Sequence, residues 1–236
     1  MKNFFLLTFV AFMVCATTAN AQQFLRPFEM VSKKKPSYVT TENGVEIETT
    51  IEKLKRKKGL IKTLMIEGAD GKKTEMPIEE VDFAYFPQSG WDKLASLEDM
   101  ASHAIQNPED EFDMGRIQEG YAYFEKIDVL VGKKTMPMLM QLVNPGACSR
   151  LRVYHDPYAA ETGGVALGGV TLTGGEDKSY YVSKDGAPAE KLEKKNFKKM
   201  FNEVLGDCKA LVKKYDKIKW SDFEEMVFLY DAECKK

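Results

Sequence analysis

The sequence predicts an α+β fold: a mostly antiparallel β-sheet or partly closed barrel with one inserted helix, followed by a C-terminal three-helix segment. Three observations predict it. Apolar and charged residues alternate with period two from Val45 onward, as a half-buried strand requires. Asp70-Gly71 and Asp185-Gly186 separate such runs, and an Asp-Gly pair readily supplies the positive φ angles of a tight hairpin turn. Beyond Asn196 the apolar period changes to that of a helix, with a capping residue before each stripe.

Residues 22–43 are polar, carry Pro36 and Asn43-Gly44, and read as a lead-in to a sheet domain over 44–190. In that domain Val45, Ile47, Thr49 and Ile51 alternate with polar or charged residues and predict the first strand. Leu60 to Glu67 is a second strand, and Lys72 to Met76 returns across the Asp70-Gly71 turn. Pro77 to Glu80 reads as a turn, and Val81, Phe83 and Tyr85 alternate again before Pro87, completing a small antiparallel meander. Trp91 to Gln106 fits the inserted helix, its body near 92–106, with Ser96 and Asp99 resembling a capping box and Asn107-Pro108 as the stop. Strand patterns resume at Gly120–Val131, Met136–Val143, Leu151–His155, Val165–Thr173 and Ser179–Ser183. The glycine pairs at 163–164, 168–169 and 174–175 lie among these short strands without a phosphate-loop spacing, so they read as turns or close strand crossings.

The helical segment spans 191–236. Asn196 can cap a first helix with Phe197, Met200, Phe201, Val204 and Leu205 on one face, and Gly206 can end it. Asp207 can cap a second helix carrying Cys208, Leu211, Val212 and Tyr215. Ser221 with Glu224 suggests a capping box for a third, with Phe223, Met226, Val227, Tyr230 and Cys234 on its face. The lysines at 213–214 and 235–236 fall in last turns, where positive charge suits the helix dipole. An apolar stripe needs a partner, so the helices are expected on an open face or edge of the sheet.

Residues 1–21 read as a cleaved secretory signal. Met1-Lys2-Asn3 is a short basic start, Phe4 to Cys15 is almost wholly apolar, and Ala19-Asn20-Ala21 is an A-x-A cleavage pattern before Gln22. The apolar run is too short to span a bilayer, which takes about 20 residues, and bulky Val14 before Cys15 argues against a lipoprotein start. Cleavage leaves 215 residues, and loss of Lys2 moves the net charge from −2 to −3. That balance does not favour nucleic acid as a partner. No later stretch is apolar and long enough to form a transmembrane segment in the mature chain.

Export changes the reading of the cysteines, because an oxidising compartment favours disulfides. Cys15 leaves with the signal, and Cys148, Cys208 and Cys234 remain. Three cysteines allow one bridge, and spacing alone does not fix the pairing. Cys208 and Cys234 both fall on apolar helix faces, so a bridge between them is the expectation, with two buried free thiols as the alternative. Cys148 is then left over, either buried or paired between chains.

Charge is uneven: residues 22–75 hold 12 Lys/Arg against 8 Asp/Glu, including Lys53-Leu54-Lys55-Arg56-Lys57-Lys58, whereas 79–125 hold 2 against 12, including Glu109-Asp110-Glu111-Phe112-Asp113. Solvated or mutually complementary faces are the favoured reading over a basic membrane patch or an acidic cation site. No catalytic, cofactor-binding or metal-ligating set stands out. His103 and His155 are not at metal-ligand spacing, there is no HExxH, CxxC, GxSxG or GxGxxG, and Asp110, Glu111 and Asp113 lack the spacing of a calcium loop. Cys148 with His155 is a weak candidate for a thiol–imidazole pair. Val153-Tyr154-His155-Asp156-Pro157-Tyr158 reads either as a binding loop or as a turn after a strand, with the turn favoured.

Several stretches resemble a group of exported, signal-bearing proteins of Bacteroidota-type bacteria that carry no assigned activity: the ANAQ end of the leader, Met138 to Gly146 running into Val153-Tyr154-His155-Asp156-Pro157, and the tail from Tyr180-Tyr181-Val182 through Gly206-Asp207-Cys208 to Cys234. The resemblance implies export to the periplasm or cell surface and a β-then-helix layout. The expectation is a non-catalytic cell-envelope protein that binds an unknown envelope protein or a small ligand. The alternatives are an envelope or glycan hydrolase working through carboxylates and a peripheral membrane-surface protein held by the basic run.

Overall fold

The computed structural model describes residues 24–57, 59–68, 70–89, 112–159, 161–162, 165–167, 170–173, 176–177 and 179–234. It is an α+β structure built on a seven-stranded antiparallel sheet. The strands are β1 (Ser37–Thr41), β2 (Glu46–Lys57), β3 (Leu60–Glu67), β4 (Lys73–Pro77), β5 (Val81–Pro87), β6 (Tyr121–Val131) and β7 (Lys134–Gln141). Their order is β2-β1-β5-β6-β7-β3-β4, and β2 also pairs with β3, so six of the strands form a ring and β4 hangs from the outer part of β3. A 3-10 turn at Ile78–Glu80 joins β4 to β5, and a short helix α1 (Met114–Gln118) precedes β6.

The chain continues through β8 (Leu151–His155), four short strands β9 (Glu161–Thr162), β10 (Val165–Leu167), β11 (Val170–Thr173) and β12 (Glu176–Asp177), then β13 (Ser179–Lys184) and β14 (Glu190–Glu193). A second sheet has the order β14-β13-β8. Bridges Leu142↔Tyr154 and Val129↔Ala189 stitch it to the ring. The helices α2 (Phe197–Val204), α3 (Lys209–Lys214) and α4 (Phe223–Glu233) complete the chain. No helix among the described residues is long and apolar enough to cross a membrane.

Strand alternation sorts the core into three layers, because successive side chains point to opposite faces. Ala84 and Phe86 of β5, Ala122 and Phe124 of β6 and Leu139 of β7 point into the ring with Val39, Ile51 and Leu64. Their neighbours Tyr85, Tyr121, Tyr123, Met138 and Met140 point outward and meet Tyr154 and Tyr181 from the second sheet. The opposite face of that sheet, Leu151, Val153, Tyr180, Val182 and Leu192, receives Phe197, Phe201, Leu211, Phe223 and Met226 from the helices. Trp220 stacks on Phe223 with ring centroids 5.3 Å apart, and Phe24 meets Tyr180 edge-to-face at 5.2 Å. Buried aromatics of this size each contribute roughly 1.5–3 kcal/mol by leaving water.

Several sequence expectations are redrawn by long-range contacts. Ser37–Thr41, within the expected lead-in, is β1; it pairs with both β2 and β5, and Phe24 and Phe28 are buried. The basic run through Lys57 extends β2 rather than ending it. Asp207 does not cap α3, whose N-cap is Cys208; its carboxylate instead accepts from Lys184, Arg150 and Tyr230. Ser221 and Glu224 form no capping box: Glu224 accepts from the Phe24 amide at 3.1 Å, and Ser221 donates to Asp222. Asn196 stands at the N-cap of α2, but its side chain accepts from the Glu193 amide. Gly206 separates α2 from α3 at a point where a Cβ would lie 2.6 Å from the Asn202 carbonyl oxygen. The expected helix over 91–106, the glycine pairs and the leader lie outside the described residues.

Cys208 and Cys234 are joined, with Cα atoms 5.7 Å apart, and the bridge ties the start of α3 to the end of α4. Cys148 stands outside the disulfide, buried in the tyrosine layer, its Sγ donating to the Pro145 carbonyl at 3.4 Å.

Candidate functional site

The ring has a weak joint. β7 pairs with β6 along its whole length, but it meets β3 at one residue pair, Ile61↔Leu139. Beyond that point β3 turns its edge to β4, from Thr63 onward. On the other side β7 turns to the N-terminal segment: the Phe28 amide donates to Gln141 Oε1 at 2.8 Å, Gln141 Nε2 donates to the Arg26 carbonyl at 2.9 Å, and the Leu25 amide donates to Val143. A cleft of about 310 Å³ opens at this seam.

Five stretches of chain wall it. Leu60, Ile61, Phe124, Leu139 and Met140 form an apolar floor, and Pro27 to Glu29 form one side. The β2–β3 hairpin tip contributes Arg56 and Gly59, and the loop after β8 contributes His155, Asp156, Pro157 and Ala159. Gly59 lets the last two pieces meet. Its φ is +69°, and a Cβ there would lie 3.3 Å from Pro157 Cβ, so the residue answers both a left-handed turn and a close approach.

The His155-Asp156-Pro157 segment is therefore a turn, as favoured from the sequence, and it also lines the cleft. Asp156 organises it. Its side chain is fully buried; Oδ1 accepts from the Tyr158 amide at 3.0 Å, and Oδ2 accepts from Ser179 Oγ and Lys191 Nζ, both at 2.7 Å. A buried carboxylate is tolerated when it is paired and hydrogen-bonded in this way. Burial opposes the charge on Lys191, but its hydrogen bond and attraction to Asp156 win and raise its pKa. His155 beside it behaves oppositely. Burial holds its pKa down to about 4, against the pull of Asp156 and with help from the Arg56 charge, so the imidazole is neutral at physiological pH.

Arg56 is the only arginine in the basic run. Its Nη1 donates to the Gly59 carbonyl at 2.9 Å, which closes the hairpin tip on itself. Elsewhere in the run Lys55 is paired with Glu75, and Lys73 of β4 is paired with Glu52. Arg152 and Tyr154 hold the Glu125 carboxylate at 2.6 and 2.8 Å within the tyrosine layer, on the face of β6 away from the ring interior.

The candidates raised by the sequence are scattered. Cys148 packs in the tyrosine layer whereas His155 lines the cleft. Asp113 caps α1 through the Arg116 amide, while Asp110, Glu111 and His103 lie outside the described residues. Among the described residues no three His, Cys, Asp or Glu side chains are grouped to hold a metal ion. The residues that sequence reasoning missed are Arg56, Leu60, Ile61, Leu139 and Met140. The one signal for any of them is an arginine standing alone among lysines, since the planar guanidinium is the cation suited to forked recognition. Comparison with family models, curated proteins and solved structures gives no match to this chain.

Proposed function

We propose that the protein is a non-catalytic binding module of the cell envelope, exported by cleavage between Ala21 and Gln22, and that it takes a small ligand in the seam cleft. The observation that carries this reading is the incomplete β3–β7 joint, where an apolar floor and a few polar groups converge in one concavity. Small-molecule sites are concavities in which apolar walls meet a small number of fixed polar groups that set orientation. The cleft's buried carboxylate supports binding rather than catalysis. Both oxygens of Asp156 are engaged by Tyr158, Ser179 and Lys191, which leaves it a structural anchor and not a poised base. The apolar leader and the Cys208–Cys234 bridge support export. The pairing of Lys55 and Lys73 with acidic neighbours weakens the case for a membrane-binding basic patch.

The test is a fragment screen by ligand-observed NMR on the protein and on Leu60→Trp, which fills the cleft. Hits on the wild type that vanish in Leu60→Trp are the expected result. A hit list that is the same for both proteins removes the cleft as the site.

A further inference from the structure

We propose that the ligand is an amphipathic monocarboxylate, its carboxylate on Arg56 and its hydrocarbon part along the seam floor. This rests on the binding reading above and adds the chemical class. The first observation is charge. Arg116, Arg150 and Arg152 each hold a carboxylate, from Glu46, Asp185 and Glu125 respectively. Arg56 has no carboxylate partner among the described residues; its one hydrogen bond uses Nη1 and goes to a neutral carbonyl. The rest of the guanidinium fork is left to meet something else at the mouth of the cleft, and that fork matches a carboxylate with two parallel N–H···O bonds.

The second observation is the floor. Leu60, Ile61, Phe124, Leu139 and Met140 line the same cleft as Arg56 and supply its apolar part. A ligand that met only the charge would leave the apolar part of the cleft unfilled, and one that met only the floor would leave the fork unpaired. The third observation limits the charge and the size. Asp156 is already neutralised by Lys191, and His155 is uncharged. One cation at the cleft without a carboxylate partner among the described residues suits one negative charge better than the nearly double charge of a phosphate monoester. At about 30 Å³ per water-sized group, 310 Å³ holds roughly ten non-hydrogen atoms.

Octanoate has that size, and octanamide keeps its shape without the charge. The experiment is calorimetric titration of both probes into the disulfide-bonded protein, Arg56→Gln, Lys53→Gln and Leu60→Trp. The wild type and Lys53→Gln should bind octanoate about tenfold more tightly than octanamide, the ratio expected of one charge-assisted fork. In Arg56→Gln the ratio should fall to within twofold, with octanamide affinity unchanged, and Leu60→Trp should bind neither. Equal affinities in the wild type, a preference that survives Arg56→Gln, or an equal loss of both probes in Arg56→Gln would overturn the carboxylate while leaving the cleft as a site. No binding of either probe to the wild type, or unchanged binding in Leu60→Trp, would overturn both.

Discussion

Removing the Cys208–Cys234 bridge should cost about 3.5 kcal/mol. The two cysteines are 26 residues apart in sequence, and the chain-entropy relation gives close to that value for a closed loop of this length at 25 °C. Cys208 is wholly buried among Leu205, Leu211 and Tyr230, so Cys208→Ala/Cys234→Ala is the cleaner change, because serine would add a buried hydroxyl. The loop enclosed by the bridge holds Trp220, stacked on Phe223, which makes tryptophan fluorescence a reporter of the helical layer. Urea unfolding at equilibrium should give a midpoint lowered in proportion to the lost free energy, with an m-value equal to or larger than wild type as the unfolded chain expands. Reduction of the wild type should reproduce the variant. A loss below about 1 kcal/mol in both experiments would refute the reasoning, since it would mean that the polar contacts at the same place, Arg150 to the Cys234 carbonyl and to Asp207, hold the helices without the bridge.

Three further outcomes follow from the cleft and its supports. His155 is held near 4 when folded and returns toward 6.5 when unfolded, so the unfolded chain binds the extra proton as pH falls between those values; stability should drop across that window by at most about 3 kcal/mol, and His155→Gln should flatten the drop in chemical denaturation at pH 4.5 to 7. Gly59→Ala should lower stability by about 1–2 kcal/mol, from the left-handed backbone and the 3.3 Å approach to Pro157, and amide exchange at residues 155–159 should quicken with it. Asn144 is buried, donates to the carbonyls of Ala147 and Leu151, and accepts from the Val153 amide; Asn144→Ala should cost about 3 kcal/mol by thermal unfolding, because it leaves several buried backbone groups unpaired.

Much of the fold was legible because its causes are local. The alternation in β2 and β5, the turn residues at 70–71 and 185–186 and the stripes of α2 and α4 each follow from a period or a backbone angle that short stretches of sequence carry. What was not legible depends on partners far along the chain. Asp207, Ser221 and Glu224 look like caps because such residues usually serve the nearest helix, but Asp207 is claimed by Arg150 and Lys184 and Glu224 by the Phe24 amide. β1 escaped notice because Ser37 to Thr41 has little apolar contrast; it is a strand because β2 and β5 flank it. The seam was equally hidden, since it arises from the one-residue contact of β3 with β7, and no spacing within either strand encodes where the other will end. Bulges at 51–53 and 55–56 in β2 further break the alternation that would have given the facing of Arg56.

The most direct test of the binding account is amide chemical-shift mapping at saturating octanoate on the disulfide-bonded protein. The shifts should concentrate at residues 28–29, 56 and 59–61, 124, 139–141 and 155–159, the five stretches of chain that wall the cleft. Shifts centred instead on the tyrosine layer around Tyr38, Phe83 and Tyr85, or spread evenly over the lysine-rich surface, would contradict it.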